Sequence, residues 1–308
     1  MRSDDGYAYA KASWIIGKSF LGERISSLSG IHTLSELDRL IFPDRHKELP
    51  GRELLVDMEK RILERAVYQI LSVVNSYSQP PKLLVRVLKG FEYSDLISES
   101  LKSLKEGKKL TSLETDLDYS YYEGLIESLF GLDADDREIA SRLIADEISL
   151  RNCIWAIRLR TYYHKSEAET AKYLMDFKVH ANIYQKKKSL AADAKASLDF
   201  SLDVRKDWRG WKWEKFLNQE PSAERPLDER LPDSPAHWTV DPRHFQNAAA
   251  QYLYHLFYHN FHSSPMSVSS IYCFIKLKQF EEDLLTSIAE GLSLGLDSSA
   301  VFKLLEVA

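Results

Sequence analysis

The stretch Arg151-Asn152-Cys153-Ile154-Trp155-Ala156-Ile157, followed through Ser166 to Ala171-Lys172-Tyr173-Leu174, aligns without a gap on Glu282-Asp283-Leu284-Leu285-Thr286-Ser287-Ile288, followed through Asp297 to Phe302-Lys303-Leu304-Leu305. Both copies read as a long helix, a short break and a small capped helix. A weaker third copy begins at Asp95-Leu96-Ile97 and sets Asp95 where Asn152 and Asp283 stand. Helical units that cannot bury their apolar faces alone pack on one another, so the repeat predicts an all-α chain with pseudo-threefold organisation. Chance similarity between two amphipathic helices is the rival explanation.

Outward from the repeat, helical patterning continues in both directions. Trp14, Leu21 and Leu28 lie seven apart with Gly17 and Ile25 on the same stripe, which predicts one long helix from Tyr7. Thr33 and Glu36 form a capping-box pattern for a short helix that must stop before Pro43. A second long helix follows Pro50-Gly51, with Leu55, Met58, Ile62, Ala66, Ile70 and Val73 at steps of three and four, and Gln79-Pro80-Pro81 breaks it. Helices are expected from Lys82 to the basic tail Lys105 to Lys109, over 111–131, from the acidic start Asp133, Asp135 and Asp136 to Arg160, and from Val179 to Leu202. Ser166 and Glu169 form another capping box. Residues 205–243 break the pattern: Trp208, Trp211, Trp213 and Trp238 stand among prolines and charges, and side chains of that size are expected to dock onto the helical body or a partner. The last helices are expected over Asp241 to Asn260, Ser267 to Leu294 and Ser299 to Val307, with Gly295 as a C-terminal cap.

Composition sets what this helical chain can do. Charged residues make up 28% while Gly (12) and Pro (10) are scarce, which favours long helices with solvated faces over turn-rich β architecture. A net charge of -5 argues against nucleic acid as a partner, because phosphate contacts need many Lys and Arg. Cys153 and Cys273 each sit in an apolar stretch and read as buried thiols of a reducing compartment. The start Met-Arg-Ser-Asp-Asp-Gly carries an acidic pair where a secretory signal would be positive, and no stretch approaches the roughly 20 apolar residues of a membrane span. A cytoplasmic chain with only indirect membrane contact is expected. Gly-x-Ser-x-Gly, Cys-x-x-Cys and phosphate-loop patterns do not occur, so neither nucleophilic catalysis nor nucleotide binding has a sequence warrant, and no cofactor is expected.

Three stretches together resemble one known family. Pro265-Met266-Ser267-Val268, Phe274-Ile275-Lys276-Leu277-Lys278-Gln279-Phe280-Glu281, and Ile288-Ala289-Glu290-Gly291 through Leu294-Gly295-Leu296 resemble the C-terminal signature of the C subunits of V-type and archaeal-type ATPases, the d subunits of eukaryotes. Gln279 departs from the Glu common at its place, and Asp283-Leu284-Leu285 stands where Asn-Leu-Arg is expected. Asn152 within Glu147 to Arg160 is similar to the family's Asp-x-x-Asn-Leu-Lys helix, and Tyr7-Ala8-Tyr9-Ala10-Lys11 to its opening Tyr-x-x-Ala-Arg. The resemblance implies a funnel of three similar helical subdomains, approximately 1–40 with 268–308, 41–110 and 111–204, with 205–243 as an irregular excursion. It implies a non-catalytic central-stalk subunit, peripheral on the inner face of the cell membrane, whose partners are the central shaft subunits and the proteolipid rotor ring. Such a subunit serves proton or sodium transport linked to ATP synthesis or hydrolysis.

Other readings stay open beside it. His255, His259 and His262 share one helix face at the spacing of a zinc site, without the Glu of His-Glu-x-x-His and among aromatic neighbours. Asp133, Asp135, Asp136 and Glu138 are similar to magnesium-holding clusters of helical prenyl-transfer enzymes, although acids also suit a helix start. Either would make the chain a metal-dependent enzyme; a general helical scaffold is the remaining alternative. Lys105 to Lys109 and Lys186 to Lys188 suit acidic loops, anionic headgroups or merely solvent. Asp95, Asn152 and Asp283 are the interface candidates: polar residues in apolar helices that would line a socket, bond between subdomains, cap, or face water.

Overall fold

A computed structural model of the chain describes residues 3–90, 110–179, 188–219 and 238–305. The architecture is all-α. Its helices are α1 (Ser3–Ile16), α2 (Leu34–Ile41), α3 (Gly51–Val74), α4 (82–90), α5 (Leu110–Ser128), α6 (Ala134–Thr161), α7 (Glu167–Ala171), α8 (Ala192–Leu198), α9 (Pro242–Ser263), α10 (Val268–Ser293) and α11 (Ser298–Leu305). One two-residue antiparallel pair, β1 (Lys178–Val179) with β2 (Lys188–Ser189), is the exception among the described residues. The chain divides into two compact units. Unit 1 takes in Met1–Lys89, Gly131–Arg137 and Tyr254–Ala308; unit 2 takes in Gly90–Phe130 and Glu138–Leu253.

In unit 1, α3 lies against α10 with α1, α2 and α11 around them. The stripe Met58, Ile62, Ala66, Ile70 and Val73 is buried as its spacing predicts, with Leu54 rather than Leu55 leading it. Phe20, Leu28, Leu37, Met58, Leu285 and Ile288 belong to one apolar core. Thr33 caps α2 by accepting from the Glu36 amide, and the helix ends before Pro43 as expected. The single long first helix is not formed. α1 stops at Ile16, a turn follows, and Gly22–Leu28 is a 3-10 segment. The buried stripe of α1 is Ala8, Ala12 and Ile15, so Trp14 points outward at 64% exposure. Gly22 shows why the chain turns there. Its φ of +56° is left-handed, and a Cβ would stand 2.9 Å from the Tyr258 hydroxyl. Its amide donates to the Tyr254 hydroxyl at 2.7 Å.

Unit 2 is organised around α6. The expected helix from Val179 to Leu202 is replaced by the β1/β2 pair and the shorter α8. All four tryptophans of the irregular segment dock inward, joining Cys153, Ala156, Ile157, Phe245 and Ala249 in one core. Each indole N–H finds an acceptor: Trp208 the Ser201 carbonyl at 2.8 Å, Trp211 the Asp193 carbonyl at 2.9 Å, Trp213 the Ser149 hydroxyl at 3.3 Å and Trp238 the Asn218 carbonyl at 2.9 Å. An apolar body with its one polar atom satisfied can be buried at little cost. The part of the helix expected up to Lys109 that lies beyond residue 90 falls outside the described residues, as does most of the basic run Lys186 to Lys188.

The internal echo is visible as local structure, with one amendment. α6 and α10 are each followed by a break and a capped short helix. Ser166 accepts from the Glu169 amide in a full capping box, and Asp297 accepts from the Ala300 amide at 2.7 Å. His164 (φ 48°) and Gly295 (φ 84°) occupy matching left-handed positions. Within the helices, however, burial matches one residue further along than the gapless alignment: Cys153, Ala156 and Ile157 fall on Leu285, Ile288 and Ala289, all buried. The closing hydrogen bonds explain it. Leu296 donates to the Gly291 carbonyl at 3.0 Å, whereas Lys165 reaches back to Leu159 at 3.1 Å. The turn after α6 holds one residue more. Ser166→Ala should remove the α7 cap and cost about 1 kcal/mol, read as faster amide exchange over 167–171.

Candidate functional site

α10 carries much of the stretch that resembles a family signature. Every residue from Val268 to Lys278 is buried, which is the environment of a helix apolar on all sides. Yet it contains Lys278 and, one turn on, Glu281, exposed by 1% and 2%. Charges this deep must be paired. The i, i+3 spacing puts both on one face, where the Lys278 ammonium meets one Glu281 carboxylate oxygen and donates to the Ser19 hydroxyl at 3.1 Å. The other carboxylate oxygen accepts from the Phe20 amide at 2.8 Å, with the Arg65 guanidinium 4.0 Å away. Burial pushes the Lys278 ammonium below the usual lysine range. Burial would raise the Glu281 carboxyl, but Lys278, the Phe20 amide and Arg65 outweigh it and hold it low. The arrangement is a brace that pins the segment after α1 to α10 and α3.

A second brace uses the acidic cluster. Asp136 accepts from the Val268 amide at 3.1 Å and the Ser269 amide at 2.8 Å, capping α10 with a buried carboxylate. Asp133 accepts from the Asp136 amide at 3.0 Å and so caps α6. These acids serve helix starts. Among the described residues no three His, Cys, Asp or Glu side chains converge to hold a metal, so neither the magnesium nor the zinc alternative gains a ligand set there. His255, His259 and His262 are exposed along α9. His255 packs against Tyr254 and His262 against Tyr258, at ring separations of 5.2 and 4.8 Å. Burial pushes the Cys153 and Cys273 thiols upward, away from thiolate chemistry.

The three interface candidates part company. Asp95 lies outside the described residues. Asn152 is fully buried in unit 2, donating to the Met175 and Leu190 carbonyls at 3.0 and 3.2 Å and accepting from the Met175 amide at 2.8 Å. It neither caps a helix nor faces water, two of the roles open to it from the sequence; it holds two loop segments to α6. Asp283 is exposed on α10, and the register amendment places Leu284, not Asp283, opposite Asn152. Beside it, burial and then the Asp283 charge push the Glu282 carboxyl up to about 7. A carboxyl raised in the fold favours the protonated form, so its contribution is lost as pH rises from the ordinary glutamate value, about 4.5, towards 7. Glu282→Gln is therefore expected to melt higher than the parent at pH 8 and equally at pH 4.

Sequence reasoning missed the exposed aromatic face of unit 1. Tyr7 and Trp14 on α1 are each 64% exposed, Tyr68 on α3 is 76% exposed, and Leu71 follows at 40%. The signal was available: with Ala8, Ala12 and Ile15 as the inward stripe, Tyr7 and Trp14 must point out. The small alanines carried it too quietly.

Braced helices, buried thiols and an exposed aromatic face describe a helical protein held together by its own buried contacts. A family model described as ATP synthase (C/AC39) subunit matches residues 77–303, and the chain belongs to that family. A protein of Treponema pallidum (strain Nichols), described only as uncharacterized, is 25% identical over 335 aligned positions that span 94% of this chain and 93% of the relative.

Proposed function

We propose that the chain is the non-catalytic central-stalk subunit of a rotary V/A-type ATPase, seated between the rotating shaft and the membrane proteolipid ring and supporting proton or sodium transport. The family match over residues 77–303 carries this reading. The packing supports it, since a part that passes torque must be stiff, and helices at native density joined by buried ionic braces resist shear. Among the described residues no helix is long and apolar enough to cross a membrane, and the proposal sets the subunit peripherally on the cytoplasmic face. Three related helical units, approximately 1–40 with 268–308, 41–110 and 111–204, belong to the same proposal.

The test is purification of the ATPase from detergent-solubilised membranes. The chain should copurify with shaft and ring subunits at fixed stoichiometry, and its removal should leave ATP hydrolysis by the catalytic head while ion pumping stops. Recovery of active, pumping complex with the chain left behind as free monomer overturns the reading.

A further inference from the structure

We propose that the exposed face of α1 and α3 in unit 1 seats an apolar, carboxylate-bearing segment of another subunit of the ATPase; the inference rests on the function proposed above. Tyr7, Lys11, Tyr68, Leu71, Ser72 and Asn75 line an open groove of about 460 Å³ between the two helices. Trp14 is exposed on the same face of α1 as Tyr7, two turns further along. Exposed tyrosines around a concavity, with a tryptophan on the same helix face, are the composition of interface centres, where truncation is most costly.

The charge on this face identifies its occupant. The whole chain is acidic at -5, yet the charged residue among those lining the groove is Lys11, and the acids that open α1 are engaged elsewhere: Asp4 accepts from the Ser78 amide at 3.0 Å and Asp5 is buried. The Lys11 ammonium is drawn to the groove wall by the Ser72 carbonyl at 2.6 Å, and an ammonium has three donors, so others remain for a carboxylate. The Lys18 ammonium lies 3.9 Å from the centre of the Trp14 ring, adding positive potential at the far end. A lipid surface suits this face less well: polybasic sites for anionic headgroups gather roughly 4–8 Lys or Arg, and a groove offers a flat bilayer little contact. α1 and α3 both precede the stretch matched by the family model, so this face is not a feature that the match supplies.

The test places a photo-crosslinking amino acid at position 68, in place of Tyr68, in the intact purified ATPase and maps adducts by mass spectrometry. The expected adduct is to one segment of another subunit, with Asp or Glu within a turn of an apolar anchor. In parallel, Trp14→Ala and Tyr68→Ala, at exposed positions that should leave the melting temperature unchanged, should each loosen retention of the chain in the complex by roughly tenfold or more. Adducts to phospholipid, to this chain itself, or none at all in a complex that retains the chain overturn the proposal and leave the central-stalk reading standing. A chain absent from the active complex overturns both.

Discussion

Glu281→Ala is expected to destabilise unit 1 by about 3–5 kcal/mol, because it leaves the Lys278 ammonium buried without its counter-charge. The Phe20 amide loses its acceptor in the same step. Chemical denaturation followed by a probe in unit 1 would measure the loss. The informative comparison is the double variant Lys278→Met with Glu281→Leu, which removes both charges and keeps the volume; it should regain most of the lost stability, since a buried pair replaced by apolar groups is often neutral. Equal damage in the single and double variants would mean that Glu281 acts through the Phe20 amide rather than through the ion pair. The acid limb gives a second check. With its carboxyl held low in the fold, the stabilisation from Glu281 is present above the ordinary glutamate range and lost as pH falls through the depressed value.

Trp208→Ala is expected to cost unit 2 about 3–5 kcal/mol. Trp208 is fully buried, edge-on to Phe200 at 5.2 Å and to Trp211 at 5.1 Å, so its loss opens a cavity among neighbours that are themselves rigid rings. The orphaned Ser201 carbonyl adds to the cost. The effect should appear as an earlier unfolding transition of unit 2, with the transition of unit 1 displaced less. A loss under 1 kcal/mol would show that the irregular segment merely covers a core already complete without it.

What could be read from the sequence follows from how far each structural cause lies along the chain. α3 was legible because its stripe is long, periodic and made of large residues. α1 was misread because Trp14, Leu21 and Leu28 imitate a helix face at heptad spacing, while the true stripe is built from alanines. The segment from Val179 to Leu202 has the Lys and Ala content of a helix, yet Asn152 ties the backbone at Met175 and Leu190 to α6, and those tertiary bonds override propensity. The tryptophans announced that they would be buried, but their acceptors are fixed only by the fold. The Lys278 and Glu281 pair is visible as an i, i+3 match, whereas the Phe20 amide that completes it is 261 positions away. The exposed face on α1 and α3 was hidden by the same misreading of Trp14.

That distant bond also has a consequence in time. Unit 1 is made mainly from Met1–Lys89 and, much later, Tyr254–Ala308, with Gly131–Arg137 between, and unit 2 is drawn wholly from the chain that separates the two main pieces. At roughly 5–20 residues per second of synthesis, Glu281 follows Lys89 by on the order of ten to forty seconds. Throughout that interval the apolar side of α3 has no α10 to rest on, whereas the last residue of unit 2, Leu253, is made before Glu281. During synthesis the apolar side of α3 is thus a surface open to other chains until α10 emerges, and holding it apart until then is a task suited to a chaperone.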